Sequence, residues 1–398
     1  MEVSAVMNDT DYRPNFHFTP KENWMNDPNG MFYLDGTYHL FFQYHPDSST
    51  WGPMHWGHAT SKDMIQWEHQ PVALFPDEHG WIFSGSAVVD KNNTSGLGTE
   101  QQTPIVALYT YHDPEGEKQG RDDFQTQGLA YSLDKGNTWT KYKNNPVIKN
   151  PGIRDFRDPK VTWDQQRNQW VMALATYEKT LFYTSDNLID WNYASEFGEG
   201  IGAHGGVWEC PDLIKMKVAD TNEEKWVLIQ SLNPGAYNGG SGTQYFVGDF
   251  DGKTFTCESY VNDLGENHDF WIDFGKDNYA GVTWNNTPDG RTLFIGWMSN
   301  WQYANVVPTE TWRSTSTIAR ELKLTNLDGT YRIVSEPVAE LDSYMEPQLT
   351  KESIAVSKNQ TLLSVDDVSL SKTELSFEIQ DLKPMDYKFL LTNAIGDS

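Results

Sequence analysis

The chain is short of the residues that brace a small secreted domain or bind an acidic polymer. Only two cysteines, Cys210 and Cys257, occur among 398 residues, which excludes a disulfide framework. Basic residues are outnumbered, 30 Lys and Arg against 56 Asp and Glu, for a net charge of −26. Phosphate backbones need a basic surface, so nucleic acid is not an expected partner. A neutral ligand such as a sugar fits this balance at least as well as a cation. No stretch is apolar and long enough to cross a bilayer, so no membrane partner is expected either. Met1 to Pro14 is polar and lacks the apolar core of a signal peptide, which suits a cytoplasmic protein or the mature form of an exported one. The 10 histidines show no zinc-type spacing, and neither a metal nor a cofactor is expected.

Long amphipathic helical patterns are missing as well. Aromatic residues make up 14% of the chain, with 31 glycines, in short runs separated by Gly, Asn and Asp clusters. Such runs read as strands and turns, and the fold class expected is all-β.

The runs repeat. Asp27-Pro-Asn-Gly-Met-Phe-Tyr33 precedes the apolar run Tyr38–Tyr44, Asp158-Pro-Lys-Val-Thr-Trp163 precedes Trp170–Ala175, and Glu209-Cys-Pro-Asp-Leu-Ile214 precedes Trp226–Gln230. Two further units start at Phe83-Ser84 and Tyr279-Ala280. A polar turn followed by an aromatic residue recurs at Ser61–Trp67, Ser132–Trp139, Thr184–Trp191 and Gly248–Phe255. Units of several short strands in series argue for a five-bladed β-propeller, in which the first strand of each blade lines the central channel. Asp27, Asp158 and Glu209 then meet although they lie far apart in the chain, and Ser84 and Asp277 hold similar places in the other two blades. Strict alternation would turn Cys210 away from Glu209 to pack behind it. Residues 12–340 are assigned to the propeller. Residues 341–398, with alternating runs at Leu362–Leu370 and Thr373–Ile379 and an apolar run at Tyr387–Thr392, read as the start of a C-terminal β-sandwich that is incomplete.

The motifs Trp24-Met-Asn-Asp-Pro-Asn-Gly30, Phe41-Phe-Gln-Tyr44, Trp51–Gly57, Phe83-Ser-Gly-Ser86, Arg157-Asp-Pro159, Trp208-Glu-Cys-Pro211 and Ser299–Tyr303 resemble those of glycoside hydrolase family 32, which includes invertases, levanases and exo-inulinases. The resemblance covers nearly the whole chain and implies a five-bladed propeller followed by a β-sandwich. It also implies a retaining exo-β-fructosidase that releases terminal fructose from levan, inulin or sucrose, and a secreted location, with the cytoplasm as the alternative. Asp27 matches the nucleophile, Glu209 the acid/base, and Asp158 the carboxylate that grips the fructose hydroxyls. Gln43, Trp51, Ser84, Arg157 and Trp301 match family residues around the terminal fructose, Asn26 and Phe83 are counted with them as substrate-binding, and Asp277 and Tyr279 also face the expected channel. Asp27 must be ionised, and donors such as Asn26 are expected to keep its pKa low. In a retaining enzyme the Asp27 and Glu209 carboxyls should lie roughly 5–5.5 Å apart. A fructosyltransferase would use the same covalent intermediate, and a non-catalytic sugar-binding propeller would be expected to lack one of the three carboxylates.

Overall fold

The structure is a computed structural model that describes residues 9–265, 267–356, 358–364, 373–381 and 383–392. Two compact units divide the chain after Met345. The first contains five sheets of four or five strands each. Blade I holds β1 (Asn23–Leu34), β2 (Thr37–His45), β3 (His55–Ser61) and β4 (Trp67–Leu74). Blade II holds β5 (Trp81–Val89), β6 (Ile105–His112), β7 (Gln125–Ser132) and β8 (Thr140–Lys141). In blade III, β9 (Arg157–Asp164), β10 (Gln169–Ala175), β11 (Thr180–Ser185) and β12 (Asn192–Phe197) follow the same order. Blade IV repeats it with β13 (Val207–Lys217), β14 (Glu224–Asn233), β15 (Gly242–Phe250) and β16 (Phe255–Cys257). In blade V, β17 (Tyr279–Thr283) and β18 (Thr292–Trp297) are followed by β19 (Trp312–Arg313), which leaves for another sheet, and then by β20 (Arg320–Leu327) and β21 (Thr330–Pro337). The first strands form a ring, β1 against β5, β5 against β9, β9 against β13, β13 against β17 and β17 against β1. The expected propeller is therefore present.

Apolar side chains fill the gaps between blades. Between blades I and II lie Phe32, Phe41, Trp56, Val89 and Tyr109. Phe42 and Leu40 of blade I also meet Val282, Leu293 and Ile295 of blade V, so the ring is closed by packing. Each such side chain contributes about 1.5–3 kcal/mol when fully buried. Hydrogen bonds close it too. β19 pairs in parallel with β1 through Asn23 with Trp312 and Trp24 with Arg313. The Asp9 carboxylate accepts from the backbone N–H of Thr311 at 2.6 Å, and the Phe18 carbonyl accepts from that of Ser316 at 2.9 Å.

The polar turns found in the sequence connect third strands to outer strands. Asp63 accepts from the backbone N–H of Ile65 and Gln66, both at 2.9 Å. The indole N–H of Trp67, Trp139 and Trp191 each caps a carbonyl three residues back.

All five first strands carry the same irregularity. Three residues of the first strand span the length of two on the second between Met25 and Pro28, Ile82 and Gly85, Arg157 and Lys160, Glu209 and Asp212, and Tyr279 and Val282. One extra residue per strand is a β-bulge, which breaks alternation and re-aims side chains. Asp158, Cys210 and Ala280 have positive φ within these bulges. In blade II the bulge ends at Gly85, where a Cβ would fall 2.0 Å from the Leu108 carbonyl oxygen, so only glycine fits.

Below the bulges the channel is closed by polar contacts between blades. Lys160 of blade III is buried beside Asp212 of blade IV at 3.3 Å and also donates to the Thr283 carbonyl of blade V. Asp212 accepts from the Thr283 N–H and hydroxyl at 2.7 Å each. Ser86 of blade II donates to the Pro159 carbonyl at 2.9 Å, and Asn285 donates to the Ala87 carbonyl at 2.8 Å.

Leu341 is buried in the propeller core, which draws the first unit beyond the expected boundary at 340 to Met345. In the second unit, Glu346–Ser398, no strand forms among the described residues. Thr373–Ile379 and Tyr387–Thr392, expected as strands, are not assigned to any strand among the described residues. Most of the run Leu362–Leu370 lies outside the described residues.

Removing the Lys160 ammonium would strand a buried Asp212 charge. Lys160→Met is expected to lower the unfolding free energy by about 3–5 kcal/mol in chemical denaturation. A loss below about 1 kcal/mol would show that the ion pair does not brace the channel.

Candidate active site

Most of the predicted residues meet at one mouth of the channel, those on the first strands carried there by the bulges. A cavity of about 310 Å³ is lined by the three carboxylates, together with Asn26, Gln43, Trp51, Phe83, Ser84, Arg157 and Trp301. Tyr279 stands behind Glu209 and donates its hydroxyl to Oε2. Asp277 does not join them. It is exposed ahead of β17, where it accepts a hydrogen bond from the Tyr303 hydroxyl. It lies outside the bulge, so it misses the inward turn that the bulge provides.

Asp27 is held at both oxygens. Asn26 Nδ2 donates to Oδ1 at 2.9 Å, and Ser84 Oγ of the next blade donates to Oδ2 at 2.7 Å. Asn26 is itself oriented by the Trp24 indole N–H at 2.8 Å. The expectation of a low pKa for Asp27 is reversed. Burial and the Glu209 charge push the carboxyl up, against the hydrogen bonds from Ser84, Asn26 and Cys210. Donors near an acid can be read from a sequence, whereas the depth at which they sit cannot.

Asp158 is buried, and its Oδ2 accepts from the Cys210 N–H at 3.0 Å. Burial pushes its pKa up to about 7; the Arg157 guanidinium opposes this, and the charges of Glu209 and Asp27 add to it. Arg157 spans the acids, with Nη2 at 2.9 Å from Glu209 Oε1 and Nη1 at 2.6 Å from Asp155 Oδ1. Burial works against its charge, but Glu209, Asp158 and Asp155 outweigh burial and hold it more firmly protonated. Arg157 thus both lines the cavity and pairs structurally.

Cys210 faces the site rather than packing behind Glu209. Its thiol lies 3.6 Å from Asp27 Oδ2 and 3.5 Å from Asp158 Oδ2. The bulge after Glu209 and the positive φ of Cys210 cancel the alternation that predicted otherwise. Burial and the neighbouring acids push the thiol pKa up, so it stays a neutral donor. Cys210 and Cys257 are both free thiols.

The walls combine flat rings with free polar atoms. Trp301 stacks on Trp24 at 5.8 Å, and Phe83 stacks on His112 at 4.2 Å. Gln43 Nε2 is buried and has no partner among the described residues. It is a donor held ready for a polar ligand. His112, Gln125, Asp155 and Asn233 also line the cavity and were missed. A signal existed for two of them. His112 and Asn233 end the second strands β6 and β14, and they pair with Trp81 and Val207 at the start of β5 and β13. The repeat phase carried onto second strands would have found them.

Comparison with known proteins agrees with this geometry. Residues 17–337 match the model of the glycosyl hydrolases family 32 N-terminal domain. Levanase of Bacillus subtilis is 58% identical over 338 residues, covering 84% of this chain and 48% of that protein. An extracellular exo-inulinase of Aspergillus niger is 47% identical over 350 residues, covering 83% of this chain and 65% of that protein. The chain thus spans about half to two thirds of the length of these relatives. The crystal structure of exo-inulinase from Aspergillus awamori superposes with a TM-score of 0.77 at 46% identity, covering 82% of this chain and 67% of that one. Three acids on three inner strands, framed by the motifs of that family, make the chain a member of glycosyl hydrolases family 32.

Proposed function

We propose that the protein is a retaining β-fructosidase that releases terminal fructose from fructans such as levan and inulin, or from sucrose. One observation carries this: Asp27, Asp158 and Glu209, from three separate blades, converge on a single cavity beside the unpaired amide of Gln43. The relatives named levanase and exo-inulinase support the substrate class.

In this mechanism Asp27 attacks the anomeric C2 while Glu209 gives its proton to the leaving oxygen, so the glycosidic bond breaks as the fructosyl ester forms. Glu209 then takes a proton from water, which attacks C2 and frees Asp27. Asp158 accepts hydrogen bonds from fructose hydroxyls, and Trp51 and Trp301 cover the apolar face of the ring. The hydrogen bonds from Ser84 and Asn26 hold Asp27 in line for attack. Fructose hydroxyls that donate to Asp158 would favour its ionised form. An extracellular location is part of the proposal, in keeping with the relative named as extracellular. Among the described residues no helix is long and apolar enough to cross a membrane.

Glu209→Gln and Asp27→Asn should each lower kcat on sucrose or levan by a factor of about 10²–10⁴ or more while the circular dichroism spectrum is kept. Near-wild-type turnover in either variant removes the role assigned to it. Proton NMR of the first fructose released should show the β anomer, as a double displacement demands; initial α-fructose would place a water between the two carboxyls instead.

The acids should also weaken the fold. Asp158 has a pKa of about 7 when folded against an ordinary value of 3.8. A carboxyl whose pKa is raised on folding stabilises the native state most below about pH 4, and this is lost as pH rises through 7. Asp158→Asn should therefore melt above the wild type at pH 8, with the gap closing at pH 4. An equal or lower midpoint at pH 8 would contradict this balance.

A further inference from the structure

The loops that follow the second strands all open on the face that holds the carboxylates, because those strands end beside the starts of the first strands. Exposed rings gather there. Tyr237, in the loop between β14 and β15, is 59% exposed, and Phe274, just ahead of β17, is 48% exposed. Their centroids are 5.2 Å apart at 90°. Two large rings left in solvent next to a cavity are a feature that folding alone does not require.

The pair is built in. The Ala236 N–H donates to the Gly240 carbonyl and the Gly239 N–H to the Ala236 carbonyl, which folds the loop tightly around Tyr237. Asn238 donates its side-chain amide to the Phe274 carbonyl, joining the two segments. The amide of buried Asn300 donates to the carbonyls of Gly239 at 3.3 Å and Lys276 at 3.0 Å. Trp301, the next residue, lines the cavity, and its N–H donates to Ser241 Oγ at 3.1 Å. Asn233, at the other end of the loop, lines the cavity and accepts from Ser241 Oγ at 3.0 Å. The rings are thus joined, through a short fixed loop, to two residues of the cavity wall, Asn233 and Trp301.

We propose that Tyr237 and Phe274 form a carbohydrate platform outside the reaction cavity, which holds a further fructosyl unit of a polymeric fructan. The proposal rests on the fructosidase reading. Flat aromatic faces suit the apolar face of a furanose ring, and Lys276 and Gln302, hydrogen-bonded to each other at 3.2 Å beside the loop, carry donors for its hydroxyls. Sucrose, with a single unit beyond the scissile bond, would reach the platform less than a long chain does.

The test compares initial rates on sucrose and on levan or inulin, whichever the wild type cleaves faster. Tyr237→Ala and Phe274→Ala should each raise KM for the polymer about tenfold and leave kcat/KM for sucrose within about twofold, and Tyr237→Phe should restore the polymer KM. Tyr193→Ala, an exposed ring on the outer strand β12, should change neither. Equal losses on both substrates, no change on the polymer, or a polymer loss in Tyr193→Ala would each overturn the platform. Wild-type turnover of sucrose keeps the fructosidase reading standing whatever the rim variants do. A wild type inert on all three substrates overturns both.

Discussion

One extra residue in each inner strand governs this molecule. A regular strand would point alternate residues into the channel and bury the rest. The bulge instead spreads three residues over the space of two at the same level in all five blades. Asn26 and Asp27, Phe83 and Ser84, and Glu209 and Cys210 therefore all reach one mouth as neighbours in sequence. Without the bulges, half of these side chains would pack between blades and the acids would not share a cavity. The positive φ of Asp158 and Cys210 is the local strain of that arrangement, and the apolar seams between blades hold it in place.

Charge is the second consequence. Three carboxylates near one another repel, and burial raises the repulsion. The structure answers with a single guanidinium, Arg157, and with neutral donors: the Ser84 and Tyr279 hydroxyls, the Asn26 amide, and the thiol and backbone N–H of Cys210. Asp155 keeps Arg157 turned toward the acids from the far side. Beneath them, Lys160 and Asp212 pair off separately, so the floor of the channel adds little net charge to the site.

Much of this was legible in the chain. The phase of Asp27, Asp158 and Glu209 relative to the apolar runs that follow them was enough to place them on inner strands, and the aromatic turns marked the outer ones. What failed did so for local reasons. Cys210 was turned the wrong way because alternation does not survive a bulge, and a bulge leaves little trace in one sequence. Asp277 was counted with the site because it sits just before a first strand, yet it precedes the bulge of that strand and stays exposed. The proton affinity of Asp27 depends on depth, which its neighbours in sequence do not reveal. Asp155 and Gln125 enter from a connecting loop and a third strand, where no repeat points to them.

The closure of the ring through β19 has a further consequence for how the molecule is made. Blade I leaves the ribosome before the other blades, yet its inner strand is flanked by β19, which is synthesised only after three more blades and the first two strands of the fifth. Asp27 therefore waits, on a sheet whose edge is unpaired, until nearly the whole propeller has emerged. Its partner Ser84 arrives early with the next blade, but Cys210 and Tyr279 come late. Assembly of the cavity is thereby tied to completion of the ring, and a nascent chain stalled before residue 312 would have its acids but not the strand that closes the ring around them.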